Sequence, residues 1–242
     1  MGYTLARCPI FWDHFTKIGS GMSVSKARKH ANPIEVPYLR VANVQRGHLD
    51  LSVLKTMKIE RSQLAQLRLR ENDVLFNEGG DRDKLGRGWI WPGAPKVCIT
   101  QNHVFRASPH RPSEAWSKFI SYWGNSAGQA YFEEFGKQTT NLASINKTVL
   151  SRFPVPLPSL AEVEEIVRIL EERLSRADAL GSEIDAALAR AEALRQAILK
   201  RAFSGRLVPQ DPADEPATTL LARLRARAAA APQKTRRKTH AS

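Results

Sequence analysis

The sequence predicts a mixed α/β domain, a mixed sheet with helices, followed by one long coiled-coil-forming helix. Three observations predict it. Residues 1–158 hold short apolar runs divided by turn residues, and all five Trp. From residue 159 the apolar side chains recur every seven positions. Between the two patterns lies Phe153-Pro-Val-Pro-Leu-Pro158, whose alternate prolines suit neither a helix nor a central strand.

Each element has its own signal. Arg40-Val-Ala-Asn43-Val reads as strand, as do Asp73-Val-Leu-Phe-Asn77, stopped by Gly79-Gly80, and Lys96-Val-Cys-Ile-Thr100 followed by Val104-Phe105. Ser113 to Phe135 reads as one helix, begun by Pro112-Ser113 and ended at Gly136. The proline run reads as a stiff linker. Ser159-Leu-Ala-Glu162 then fits a capping box, in which Ser and Glu satisfy each other's backbone amides. Glu162, Glu164 and Glu165 crowd a first turn where the helix dipole favours them. Val163, Leu170, Ala177, Ile184, Ala191 and Ile198 form one row of a seam. Val167, Leu174, Gly181 and Leu188 form the other, before Arg195 and Ala202. Gly205 is the expected stop. A helix of 44 residues would be about 65 Å long, more than its own domain can cover, so the seam needs a partner helix. A short helix is expected from Thr218 to Arg227, then a disordered basic tail. The domain reading is therefore 1–158, 159–205 and 206–242.

Charge points to the partner. Formal net charge is +13, with a pI near 10.1. Residues 1–158 carry 22 Lys+Arg against 12 Asp+Glu, residues 159–222 are net negative, and residues 223–242 hold seven cations and no anion. A surplus confined to one domain and a tail favours nucleic acid or an anionic surface as partner, the alternative being a charge excess that only aids solubility. The two cysteines, Cys8 and Cys98, are too few for a disulfide framework or a Cys-rich zinc site. No stretch approaches the roughly 18 apolar residues of a membrane span, and the N-terminus lacks a signal-peptide layout. A soluble, cytoplasmic chain is expected. Catalytic motifs are absent. There is no Asn/Asp-Pro-Pro-aromatic loop, no phosphate-cradling glycine loop ahead of Lys-Ser/Thr, and no Gly-x-Ser-x-Gly. No lysine has an acidic residue two positions earlier, and no His pair has metal-ligand spacing.

Four segments are candidate DNA-binding sites. Residues 77–88 hold four glycines with Arg82, Lys84 and Arg87, and suit phosphate contact unless their Asp and Arg pair internally. Gln101, Asn102 and His103 can bond base edges or the local backbone. Lys137, Gln138, Thr139 and Asn141 are similarly polar. Lys26, Arg28 and Lys29 form a basic patch that suits phosphate or a solvated surface. Arg40 is a further candidate, although on one strand it would face away from Asn43.

Several of these segments carry a resemblance. Val36-Pro-Tyr-Leu-Arg-Val-Ala-Asn-Val-Gln45, residues 77–88, Gln101-Asn-His-Val-Phe-Arg106, Lys137-Gln-Thr-Thr-Asn-Leu-Ala-Ser-Ile-Asn146, the proline run and Leu194-Arg-Gln-Ala-Ile-Leu-Lys-Arg-Ala-Phe-Ser-Gly-Arg-Leu-Val208 resemble the specificity (S) subunit of type I restriction-modification systems. The resemblance covers residues 12–225 in order. It implies a target-recognition domain that reads one half of a bipartite sequence in double-stranded DNA, and a spacer helix. It implies no catalysis by this chain. Modification subunits methylate adenine with S-adenosylmethionine; restriction subunits, recruited through them, cleave with ATP and Mg. A full S subunit resembles two such chains in tandem, with the helices antiparallel. This chain has one domain and one helix, and its ending resembles the end of a full S subunit. It reads as a C-terminal half or a half-length subunit, and an antiparallel homodimer is the expected assembly. The competing expectations are a stand-alone enzyme, against which the missing motifs speak, and a coiled-coil scaffold that binds nucleic acid without sequence preference.

Overall fold

The computed structural model describes residues 15–24, 30–110, 113–138, 143–209 and 211–230. It comprises two compact units, Met1–Leu174 and Ser175–Ser242.

The first unit is a mixed α/β domain. Its strands are β1 (Phe15–Ser20), β2 (Pro33–Leu39), β3 (Val44–Gln45), β4 (His48–Leu49), β5 (Lys55–Glu60), β6 (Val74–Asn77), β7 (Gly79–Gly80), β8 (Ile99–Thr100), β9 (Val104–Pro109), β10 (Lys137–Gln138) and β11 (Ala143–Ser144). They form three three-stranded sheets, ordered β1-β9-β6, β5-β2-β8 and β10-β11-β7, and a β3-β4 pair. Pairing is antiparallel except between β2 and β8. The helices are α1 (Leu64–Leu67), α2 (Glu114–Asn125), α3 (Ala127–Phe135), α4 (Lys147–Ser151) and the start of α5 (Leu160–Phe203).

Strand β6 explains its own composition. Alternate side chains leave a strand on opposite faces. Val74 and Phe76 join the core against α2 and α3, whereas Leu75 joins a second core with Leu39, Trp91 and Cys98. A strand buried on both faces reads as a continuous apolar run, the signal that identified it. Cys98 is fully buried, and burial pushes its thiol pKa up to about 12. In the folded chain Cys98 should therefore resist iodoacetamide at mildly alkaline pH and become alkylated only on unfolding. Peptide mass spectrometry checks this, and rapid native labelling would contradict it.

Several expectations change on the structure. Val41–Asn43 is a 3-10 turn rather than strand. Asn43 is the reason: its Oδ1 accepts from Arg40 N at 3.0 Å, and its Nδ2 donates to Asp50 O and Val53 O. The helix expected over 113–135 is two helices broken at Ser126. Ser126 Oγ donates to Tyr122 O at 2.7 Å, and Asn125 turns its amide to Gly88, donating to its carbonyl and accepting from its N–H. The Ser113 cap is present, accepting from Trp116 N. The strand at 96–100 shrinks to Ile99–Thr100. The proline run begins in the core rather than as a linker, and its second half, with Leu157 60% exposed, leaves it. Phe153 and Val155 are fully buried, and Trp123 Nε1 donates to Pro154 O.

Helix α5 starts as the sequence requires. Glu162 N donates to Ser159 Oγ at 3.3 Å, while Ser159 N and Ser159 Oγ each donate to Glu162 Oε2 at 2.8 Å, and these last two bonds hold the Glu162 carboxyl below its ordinary pKa. Its first turns lie on the domain's own apolar surface, so Val163 and Val167 belong to the main core. Lys118 on α2 bridges Glu114 at 2.7 Å and Glu171 of α5 at 2.6 Å, fastening this end.

In the second unit α5 continues to Phe203. Gly205 N donates to Ala202 O and Arg206 N to Arg201 O, a Schellman ending. Helix α6 (Ala217–Ala230) extends slightly beyond the expected 218–227. Residues 231–242 lie outside the described residues.

Candidate nucleic-acid interface

Two of the four candidate segments, 77–88 and 101–103, meet at Glu78. Its backbone N donates to His103 O at 2.9 Å, and its carbonyl accepts from Ile145 N at 2.8 Å. Its carboxylate lies 2.7 Å from His103 Nδ1. An ionised carboxylate can only accept, so Nδ1 carries a proton, and the other ring nitrogen, Nε2, lies 3.1 Å from Asn102 Nδ2. Asn102 spends one amide N–H on His103. Its Oδ1 and second N–H suit the paired acceptor and donor of an adenine edge. The adjoining sheet completes the cluster: Gly79 and Gly80 of β7 pair with Ser144 and Ala143 of β11, and Lys137 of β10 pairs with Ser144 from the other side. Glu78 lies within the 77–88 segment but is not among the residues that the sequence singles out. The signal was a lone carboxylate directly before the two glycines.

The loop 81–88 is held from inside. Lys84 Nζ bonds Asp81, whose carboxyl is thereby held below its ordinary pKa. Arg82 reaches Glu133 O at 3.4 Å while remaining exposed. Arg87 is half-buried, and burial foremost, with the neighbouring Arg46 charge, lowers its pKa. Arg46 was also missed. Its guanidinium donates to Asn125 O, to Asp83 O at 2.8 Å and to Gln129 Oε1 at 2.6 Å, tying the loop to α2 and α3. The glycines serve packing. Gly86 has φ +64°, and a Cβ there would stand 2.2 Å from the Phe132 ring; at Gly88 it would stand 1.7 Å from Leu75 O. The loop's inner side is therefore seated on α3 and β6, and its outer side carries Arg82 and Lys84.

Other candidates fall elsewhere. Gln101 is partly exposed, its backbone N bonded to Leu39 O. Arg40 is partly buried at the 3-10 turn, with its Nε lacking a partner among the described residues. Lys26, Arg28, Lys29, Thr139 and Asn141 lie outside the described residues, as does the side chain of Gln138. Among the described residues no cluster of His, Cys, Asp or Glu could hold a metal ion, and no helix is long and apolar enough to cross a membrane. Along α5 the seam residues Leu174, Ala177, Gly181, Ile184, Leu188, Ala191 and Ile198 are exposed and Leu170 is half-buried.

The comparisons with known proteins agree with one another. The chain is 27% identical over 235 residues to the EcoKI specificity subunit of Escherichia coli K12, covering 92% of this chain and 50% of that protein. It is 31% identical over 214 residues to the EcoBI specificity subunit of Escherichia coli, covering 84% and 44%. It thus spans about half the length of these relatives. Its fold matches a chain solved in work on complex assembly and conformational transition of the type I R-M system, with TM-score 0.56, 23% identity and coverage of 78% and 44%. It also matches the HsdS subunit from Thermoanaerobacter tengcongensis, with TM-score 0.50, 19% identity and coverage of 83% and 45%. The family described as the type I restriction modification DNA specificity domain matches residues 13–189, which include the whole Glu78 cluster and most of α5, and the chain belongs to that family.

Proposed function

We propose that this chain is the DNA sequence-recognition subunit of a type I restriction-modification complex and reads one half of a bipartite target. It positions modification and restriction subunits and catalyses neither reaction. S-adenosylmethionine, ATP and Mg act on those partners, and the complex works in the cytoplasm. The observation that carries this reading is the family match over residues 13–189. The polar Glu78–His103–Asn102 cluster supplies base-reading groups, and the basic domain supplies attraction to phosphate.

Two copies pair through α5, head to tail. Two features favour that orientation. When the whole seam is paired antiparallel, Leu174 meets Ala191 of the partner subunit, Ala177 meets Leu188 of the partner subunit and Gly181 meets Ile184 of the partner subunit. In these three central layers each large side chain faces a small one, so they fill evenly. Charge agrees. Residues 159–181 hold six acidic and three basic side chains, and residues 182–206 hold three and five. Antiparallel pairing sets the acidic half against the basic half, whereas parallel pairing sets like on like.

A genomic methylation map from cells that express this chain with its modification subunits tests the function. The expected site is bipartite and palindromic, because two identical domains read the two halves. An asymmetric site overturns the homodimer. Methylation without sequence preference overturns the recognition role and leaves a non-specific scaffold.

A further inference from the structure

Sheet register builds a second polar site, away from the Glu78 cluster. On β9, Arg106 and Ser108 are two residues apart and share a face. On the neighbouring strand β1, Gly19 lies opposite Arg106 and Lys17 opposite Ser108. Gly19 has no side chain to cover the arginine, and the guanidinium lies over the end of α1. There it donates to Gln66 O, Leu67 O and Arg68 O, each at 2.9 Å. The chain then runs extended through Arg68 and Arg70, which share one side while Leu69 between them is buried. Lys17, Arg68, Arg70, Arg106 and Ser108 line a concave cleft of about 260 Å³.

The balance of charge in this cleft is positive. Groups that would repel an anion are already engaged. The α1 carbonyls are bonded to Arg106. Asp73, beneath the cleft, accepts from Ser108 Oγ at 2.6 Å and Arg70 N at 2.8 Å, and lies 3.9 Å from Arg106 Nε. Among the described residues Lys17, Arg68 and Arg70 have no carboxylate within ion-pair distance. The Arg70 charge is close enough to Arg106 to help burial lower its pKa, so the two cations face a shared space. Three cations around a concave polar floor suit an anion with several acceptor oxygens.

We propose that this cleft seats one backbone phosphate of bound DNA, held by Lys17, Arg68 and Arg70 above the Arg106–Ser108 floor. The proposal rests on the DNA-recognition reading and adds a positioning contact to it. None of these cations stands out by sequence, because the pattern Arg68-Leu-Arg70 is short and Lys17 is remote from it. Strand register brings them together.

The test is duplex binding by the full chain across a salt series, with the mapped target and a random-sequence duplex. Arg68→Gln/Arg70→Gln is the probe. Lys55→Gln/Lys58→Gln, on exposed positions of β5, controls for loss of any two charges. The cleft variant should bind both duplexes about tenfold more weakly, and the slope of log K against log salt should fall by about 1.8, or about 0.9 per lost contact. The control should keep the parent slope. A cleft variant that matches the parent or the control overturns the proposal, as does a loss confined to the target duplex. Free phosphate is the other source of the same chemistry. If inorganic phosphate at fixed ionic strength raises the melting temperature of the parent but not of the variant, while duplex binding is equal, the cleft serves a free anion and the DNA seat is wrong. A parent chain that does not distinguish the two duplexes sinks the recognition reading, while the slopes still decide the seat.

Discussion

Ile184→Glu/Leu188→Glu is expected to convert the purified chain from a dimer to a monomer of 27.0 kDa, measured by light scattering over a range of concentrations. Both side chains are exposed in the single chain, Leu188 at 64%, so the substitution leaves the domain core intact. In the proposed dimer each would be buried against Gly181 or Ala177 of the partner subunit. Burying a Leu or Ile contributes about 1.5–3 kcal/mol, and two-fold symmetry doubles every loss. The four lost side chains, replaced by carboxylates facing an apolar layer, should raise the dissociation constant by about 10⁴-fold or more. Ala186→Glu, on the opposite face of α5, is the control and should remain dimeric. The melting temperature of the domain should be unchanged in both. A double-glutamate variant that keeps twice the monomer mass shows that the seam is not the interface. A parent chain that is monomeric throughout removes the self-pairing.

The second large effect is in the domain. Phe132→Ala should cost about 3–5 kcal/mol, because the side chain is fully buried and its cavity cannot collapse. Its ring packs edge-on to Phe76 at 6.4 Å and against Phe153 at 4.8 Å, tying β6, α3 and the proline run together. For a domain of this size the melting temperature should fall by about 6–20 °C. The same ring is the seat of Gly86, so the loss should reach the candidate interface. Gly86→Ala alone should destabilise through both its positive φ and the clash with the ring. Combined with Phe132→Ala, the clash disappears and only the backbone strain remains. The double variant should therefore be less destabilised than the sum of the singles by about 1 kcal/mol or more. Strict additivity would show that the loop is not seated on that ring.

Much of the local structure was legible in the sequence, for local reasons. The capping box at Ser159, the Gly205 ending, the Ser113 cap and the doubly buried β6 are set by side chains within a few residues of the backbone they satisfy. The misreadings share a cause. The turn at 41–43 depends on Asn43 bonding Asp50 and Val53. The break at Ser126 accompanies Asn125 turning to Gly88. The first half of the proline run is buried because Trp123 bonds Pro154 and because Phe153 and Val155 share a core with Val163. In each, a partner distant in sequence outweighed the local pattern.

The candidate interface divides in the same way. Residue types alone marked the polar segments at 77–88, 101–103 and 137–141, and seven-residue spacing alone marked the seam from Val163 to Ile198. Those are properties of composition and period, carried by the chain whatever it touches. The sequence could not say that Glu78 ties the 77–88 segment to His103 and Ile145, that Gly86 and Gly88 face inward, or that Val163 and Val167 leave the seam for the core. Nor could it bring Lys17 beside Arg68 and Arg70. These depend on strand register and on which surface covers which. Both are set by burial and hydrogen bonding between residues tens of positions apart, and only the folded chain brings such residues within reach.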